Sequence, residues 1–143
     1  MVVDDYSRYK WSVFLKNKNE LTSKVFQIIE MIQAKGYRVK SIRMDNAGEN
    51  KTLGEKVKAL GINVEYVAPN TPQHNGVVER AFAVGGVSRG RSFMSELKMS
   101  KEEMHKFWAE CFNFAATTSN IIPFSHMKER LRRVSPFERF NKA

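Results

Sequence analysis

Short runs rich in β-branched and aromatic residues alternate along this chain with stretches of helical periodicity, and that alternation commits it to an α/β domain. Residues 10–16 (KWSVFLK) read as a strand. Asn17 and Glu20 follow with the three-residue spacing of a capping box. Leu21, Val25, Ile28, Ile29 and Ile32 then recur at helical spacing until Gly36. Residues 38–44 form a second strand ending at Asp45. A short helix from Leu53 to Leu60 stops at Gly61, and residues 64–67 form a third strand. Pro69, Asn70, Thr71 and Pro72 interrupt regular structure. Helix resumes near Asn75 and runs into the low nineties, weakened by Gly85, Gly86 and Gly90. The last long helix starts at Ser100, which forms a second capping box with Glu103. It carries Phe107, Cys111, Phe114, Ala115 and Thr118 on one face as far as Pro123. Trp11, Phe14, Phe107 and Trp108 are expected in the core, not as platforms for nucleic-acid bases.

With 143 residues and 42% hydrophobic content the chain suits one domain. Repeats, low-complexity tracts and apolar runs long enough to span a membrane are absent from the sequence. Asp4 and Asp5, directly after Val2 and Val3, argue against a secretory leader. A single cysteine, Cys111, excludes an internal disulfide and suits a reducing compartment. His74, His105 and His126 are not spaced like metal ligands. The net charge of +9 and pI near 9.8 attract polyanions, of which nucleic acid is the commonest, although other basic proteins share such a balance.

Two carboxylates are placed where chemistry could use them. Asp45 ends a strand and is followed by a turn, and ligands in open α/β sheets gather at that end. Glu79 is read in the first turn of the helix opened by Asn75 and Gly76. If the two met they would make a hard oxygen site for Mg²⁺ or Mn²⁺. Asp-Asn after a strand is also an ordinary turn, and glutamate is favoured in a first helical turn by the dipole alone. Periodicity does not choose between these readings.

Residues 42–50 (IRMDNAGEN) resemble the strand-end motif of copia-type retrotransposon integrases, and residues 68–80 (APNTPQHNGVVER) resemble the TPQ-NG-ER signature of the same family. Residues 4–9 with Trp11 and residues 14–16 are similar to its upstream strand pair. Residues 107–110, 120–123 and 135–138 are similar to its closing helix and tail. The resemblance covers nearly the whole chain in the family's order. It implies a ribonuclease-H-like fold, a mixed sheet of five strands flanked by helices, with an Asp, Asp, Glu triad holding two divalent cations, Mg²⁺ or Mn²⁺. Those cations would lie about 3.5–4 Å apart and serve DNA strand transfer. Asp45 and Glu79 would be the second and third members, with 33 residues between them, slightly fewer than is usual in the family.

The first member lies in the family on a central strand upstream of the segment matched by Val2 to Tyr9. By the same alignment Asp4 and Asp5 belong to a hairpin turn. The chain is therefore expected to be a core lacking its first strand, its first catalytic aspartate and the family's zinc-binding N-terminal region. The chain is expected to begin at an internal methionine or to derive from a decayed or mispredicted open reading frame. Low stability is expected, since the neighbours of the missing strand would expose unpaired edges or pair with each other.

Gln73, His74, Asn75, Arg80, Arg89 and Arg91 are the expected DNA contacts, positioning sugar and phosphate without reading sequence. The run Lys128, Arg130, Arg132 and Arg133 is either a further contact or a solvated face. Ala47 stands where the family has a second glycine and would be strained if that position needed positive φ. The resemblance implies DNA as partner, homo-oligomeric action, no membrane, and a nuclear, otherwise cytoplasmic, location. The competing reading is a non-enzymatic DNA-binding relic.

Overall fold

The computed structural model describes residues 1–67, 72–123 and 134–142; for Glu49 and residues 72–75 it describes the backbone alone. In chain order the elements are β1 (Val2–Val3), β2 (Lys10–Trp11), a 3-10 turn (Lys18–Glu20), α1 (Leu21–Ala34), β3 (Ser41–Asp45), α2 (Gly48–Ala59) and β4 (Asn63–Val67). Then follow α3 (Pro72–Arg80), a π-helical segment (Ala81–Ser88), α4 (Arg89–Glu96), α5 (Lys101–Ile121) and α6 (Pro136–Lys142). Helices and strands are mixed along the chain, as the alternation in the sequence requires. The chain divides into two compact units, Val13–Gly76 and Met1–Ser12 with Val77–Ala143, so the boundary falls inside α3.

The unit Val13–Gly76 is built on a β-α-β crossover. β3 and β4 pair in parallel, from Ser41 opposite Asn63 to Asp45 opposite Val67. Arg43 and Glu65 face each other in this register, and the Arg43 guanidinium donates to the Glu65 carboxylate at 2.9 and 3.0 Å. Exposed as it is, the pair contributes roughly 0.2–1 kcal/mol and serves mainly to fix register. Val25, Ile28 and Ile29 of α1, Leu53 and Val57 of α2, Ile62, and Met44 and Val67 of the strands make the core. Each fully buried aliphatic of this set stabilises by about 1.5–3 kcal/mol. Gly36 (φ 85) and Gly61 (φ 72) end α1 and α2 in the left-handed conformation that glycine adopts without a Cβ penalty.

Several boundaries differ from the sequence reading, and β3 begins at Ser41, not at residue 38. α2 opens at Gly48, five residues before Leu53, and Asn17 makes no side-chain cap. Glu20 N–H instead donates to Asn17 O at 3.1 Å, closing the 3-10 turn, and the Glu20 carboxylate accepts from Lys16 N–H at 3.2 Å. The second capping box does form. Ser100 Oγ accepts from Glu103 N–H, and the Glu103 carboxylate accepts from Ser100 N–H at 2.8 Å.

In the other unit β1 and β2 make an antiparallel hairpin, Val2 opposite Trp11 and Val3 opposite Lys10. Among the described residues the strands therefore form two separate pairs in place of one mixed sheet. The outer edge of β2 shows why this pair stops growing. Lys10 N–H donates to Asn120 Oδ1 at 3.0 Å, and Asn120 Nδ2 donates back to Lys10 O at 2.9 Å. A buried side-chain amide from α5 thus occupies the groups that a further strand would need. The expected strand over residues 10–16 is correspondingly cut to Lys10–Trp11.

Tyr9 stacks on Phe140 at 4.9 Å between centroids, and Trp11 meets the same ring edge-on at 5.2 Å, which seats α6 against the hairpin. α6 also carries a capping arrangement that mirrors Ser100 and Glu103. Ser135 N–H donates to the Glu138 carboxylate at 2.9 Å, and Glu138 N–H donates to Ser135 Oγ at 3.2 Å.

The core expectations are partly overturned here. Phe14, Phe107 and Trp108 are exposed, and on α5 the buried residues are Cys111, Ala115, Ala116, Ser119 and Asn120. Phe107 and Phe114 lie off that stripe. The buried stripe of α5 is made mostly of small residues, while Phe112 packs against Gly90 and Phe114 against Phe93 at its flanks.

The glycines of residues 85–90 are what make this packing possible. A Cβ at Gly85 would meet Lys10 Cε at 3.3 Å, and one at Gly90 would lie 2.7 Å from Phe112 Cδ2 and 3.0 Å from Cε2. The glycines thus mark a local rearrangement, an i→i+5 segment packed tightly on α5. Gly90→Ala is expected to destabilise by about 1–3 kcal/mol even though alanine gains about 1 kcal/mol in helix propensity. A lowered urea midpoint, restored in Gly90→Ala/Phe112→Leu, is the result expected; an unchanged midpoint would show that the ring yields freely.

Candidate functional site

Asp45 is the last residue of β3 and is exposed. Its Oδ1 accepts from Ala47 N–H at 3.3 Å and from the Asn50 amide, while Asn50 Nδ2 also donates to Asp45 O at 3.3 Å. The local form is a strand end followed by an Asx turn, with α2 beginning at Gly48. Oδ2 accepts no hydrogen bond among the described residues. One oxygen of the carboxylate is thus oriented by the turn and the other is open, which suits a hard cation. Ala47 has φ −67 and ψ 151, so the strain considered for alanine there does not arise.

Glu79 is exposed on α3 and makes no hydrogen bond or ion pair among the described residues. Its position in the helix corrects the sequence reading. α3 opens at Pro72, a residue suited to the first helical position, and not at Asn75. Glu79 is therefore well beyond the first turn, where the dipole would favour it, and that ordinary explanation for a glutamate falls away.

Asp45 belongs to the unit Val13–Gly76 and Glu79 to the other unit. Among the described residues no three His, Cys, Asp or Glu side chains gather as a metal-binding cluster. Asp4 and Asp5 are engaged in the hairpin turn. Asp4 Oδ2 accepts from Ser7 N–H at 2.7 Å and from Ser7 Oγ at 2.6 Å, and Asp5 pairs with Arg8 at 2.5 Å. Arg8 closes the turn at φ 65.

The expected DNA contacts are spread along one helical stretch. Arg80 is exposed at the end of α3, Arg91 is exposed on α4, and Arg89 is half-buried at the junction with the π-helical segment. Gln73, His74 and Asn75 are in the first turns of α3, but their side chains lie outside the described residues, as do Lys128, Arg130, Arg132 and Arg133.

A polar cluster that the sequence reading missed surrounds Lys10. Lys10 is 6% exposed, and its ammonium donates to Ser119 Oγ at 3.0 Å, against Gly85. Burial, and secondarily the positive charge of Arg89, lower the Lys10 pKa from 10.5 to about 8. Because the folded pKa is below the unfolded one, the unfolded chain binds more protons between those values, and stability rises as pH climbs from about 8 to 10.5. Lys10→Met is expected to raise stability at pH 7 by about 1–2 kcal/mol, allowing for partial screening by solvent, and to flatten that rise. Thermal melts at pH 7 and pH 10 measure both effects. A steeper rise in the variant would refute the assignment.

The chain has homologues among the retrovirus-related Pol polyproteins of transposons. The Pol polyprotein from transposon TNT 1-94 of Nicotiana tabacum is 34% identical over 128 residues, covering 85% of this chain. Those from transposons RE2 and RE1 of Arabidopsis thaliana are 27% and 28% identical over 138 residues, 96% of this chain. In each case the chain spans only 9% of the relative's length. No protein-family model matches the chain. No helix among the described residues is long and apolar enough to cross a membrane.

Proposed function

We propose that this chain is the catalytic-core segment of a copia-type retrotransposon integrase, of ribonuclease-H-like fold, whose activity is metal-dependent joining of element DNA to target DNA. The observation that carries the reading is the pairing of two matches: a strand-end aspartate, Asp45, with an open carboxylate oxygen, and a TPQ-NG-ER stretch ending at an exposed Glu79. Homology to Pol polyproteins of transposons supports the retroelement part of it.

In this reading Asp45 and Glu79 hold Mg²⁺ or Mn²⁺ through hard oxygen donors. The cation supplies acidity to a water or DNA 3′-hydroxyl and charge stabilisation at the leaving oxygen. Arg80 and Arg91 neutralise phosphate, and the net charge of +9 draws DNA to the chain with an affinity that falls as salt rises. Gln73, His74 and Asn75 position the sugar-phosphate backbone, homo-oligomers act on DNA ends, and the site of action is the nucleus.

The test is scission and strand transfer on a labelled duplex with Mg²⁺ or Mn²⁺ against a chelator control. It is run on the chain alone and on the chain joined to an upstream aspartate-bearing strand of the kind the family resemblance implies. Metal-dependent scission in either supports the reading. Salt-sensitive duplex binding with no scission in either would favour a DNA-binding relic.

A further inference from the structure

A groove of about 560 Å³ lies on the face shared by the π-helical segment and α4, lined by Phe82, Ala83, Val87, Ser88, Arg91 and Ser92. All its linings come from the unit Met1–Ser12 with Val77–Ala143. Phe82 is 50% exposed and its ring meets no other aromatic ring or cation among the described residues. This sets it apart from Phe114, which packs on Phe93, and Trp108, which packs on Phe112. The Arg91 guanidinium is exposed and makes no ion pair or hydrogen bond among the described residues. Ser88 Oγ has no partner there either, and Ser92 Oγ donates to Ser88 O at 3.1 Å.

The winding of the segment is what gathers these groups. An α-helix brings residues three and four apart to one face, whereas i→i+5 bonding brings residues five apart together. Phe82 and Val87 are five apart within the π-helical segment, and Val87 and Arg91 are four apart across its junction with α4. An aromatic ring and a guanidinium therefore share one groove.

The chemistry of the lining selects its ligand. Its side-chain polar groups are a guanidinium and two hydroxyls, with no carboxylate, so it offers donors to an anion beside an open π-face. We infer that this groove takes a nucleotide of a single-stranded nucleic acid, its base stacked on Phe82 and its phosphate held by Arg91 with the Ser88 hydroxyl. A base must be unstacked to meet a ring, so the preference is for single strands over duplex, with little dependence on base identity. The inference rests on the nucleic-acid reading of the chain, but not on metal chemistry at Asp45 and Glu79.

Fluorescence anisotropy with a labelled dT 12-mer, and with a duplex of the same length, tests it on the full chain. Phe82→Leu keeps an apolar side chain without the π-face. It is expected to weaken dT 12-mer binding about five- to twentyfold and duplex binding less than about twofold, with the salt slope unchanged. Phe82→Trp is expected to tighten dT 12-mer binding and remains informative should the leucine variant fold poorly. Arg91→Gln is expected to weaken both ligands and reduce the single-strand salt slope by about 0.7.

Wild-type-like dT 12-mer binding in Phe82→Leu overturns the inference. So do an equal loss on duplex and single strand, and no gain in Phe82→Trp. Duplex scission together with dT 12-mer binding that does not depend on Phe82 leaves the integrase reading standing and removes this one. A Phe82-dependent single-strand preference with no scission does the reverse.

Discussion

Glu79→Gln is expected to lower metal-dependent duplex scission by about a hundredfold or more, and Asp45→Asn to do the same, in whichever form of the chain is active. Each change replaces an anionic oxygen by a neutral one of the same shape. The loss is charge at the cation, a term of several kcal/mol at about 1.4 kcal/mol per tenfold in rate. The fold is not at stake in either variant. Glu79 makes no hydrogen bond among the described residues, and an asparagine at position 45 keeps an Oδ1 to accept from Ala47 N–H. Both variants should therefore melt within about 0.5 kcal/mol of wild type, yet lose any rise in melting temperature that Mn²⁺ produces in the parent. Asp5→Asn is the control, because Asp5 is committed to Arg8 in the hairpin turn and scission should survive its loss. Scission that persists in Glu79→Gln would end the assignment of Glu79 as a ligand, whatever the chain does with DNA.

Asn120→Leu should be the most damaging single change to the fold of its unit. Leucine keeps the volume and removes both hydrogen bonds to Lys10, so it leaves a buried N–H and a buried C=O without partners at the edge of β2. Each orphaned group costs about 1–3 kcal/mol, and together they amount to roughly 2–6 kcal/mol. For a chain of this size that is a fall of about 10 °C in melting temperature. Asn120→Asp retains one acceptor and should fall between leucine and wild type. A leucine variant that melts like the parent would mean that water or a neighbouring group takes over both roles.

The glycine stops of α1 and α2, the Ser100 cap and the strand ending at Asp45 are the legible part of this chain. Gly36 and Gly61 stop helices because only glycine is at ease at their positive φ, and Ser100 with Glu103 caps the last long helix because each satisfies the other's backbone. Asp45 was placed correctly at a strand end, and its turn with Asn50 follows from its neighbours in sequence. Tertiary features were not legible. Nothing local in residues 10–16 announces that an asparagine 110 positions away will take the strand's outer edge. The buried stripe of α5 could not be read from apolarity either, since Ser119 and Asn120 are buried while Phe107 and Phe114 are exposed. Pro72 is the sequence signal for the start of α3, a proline at a first helical position, whereas Asn75 and Gly76 suggest a later start. The groove at Phe82 is hidden for a different reason: α periodicity does not hold through the π-helical segment.

That stretch has a phase. Winding at i→i+5 turns the backbone through a smaller angle per residue than winding at i→i+4, so the eight residues from Ala81 to Ser88 accumulate a lag. Everything after Ser88 is rotated about the axis relative to where a uniform helix would point it. A wheel drawn from Glu79 at constant pitch assigns Arg89 and Arg91 to the wrong sides. The lag also makes azimuth something the helix can change without lengthening far or breaking. If the segment rewound to i→i+4, Arg91 would swing off the face of Phe82 while Glu79, upstream of the slip, kept its bearing.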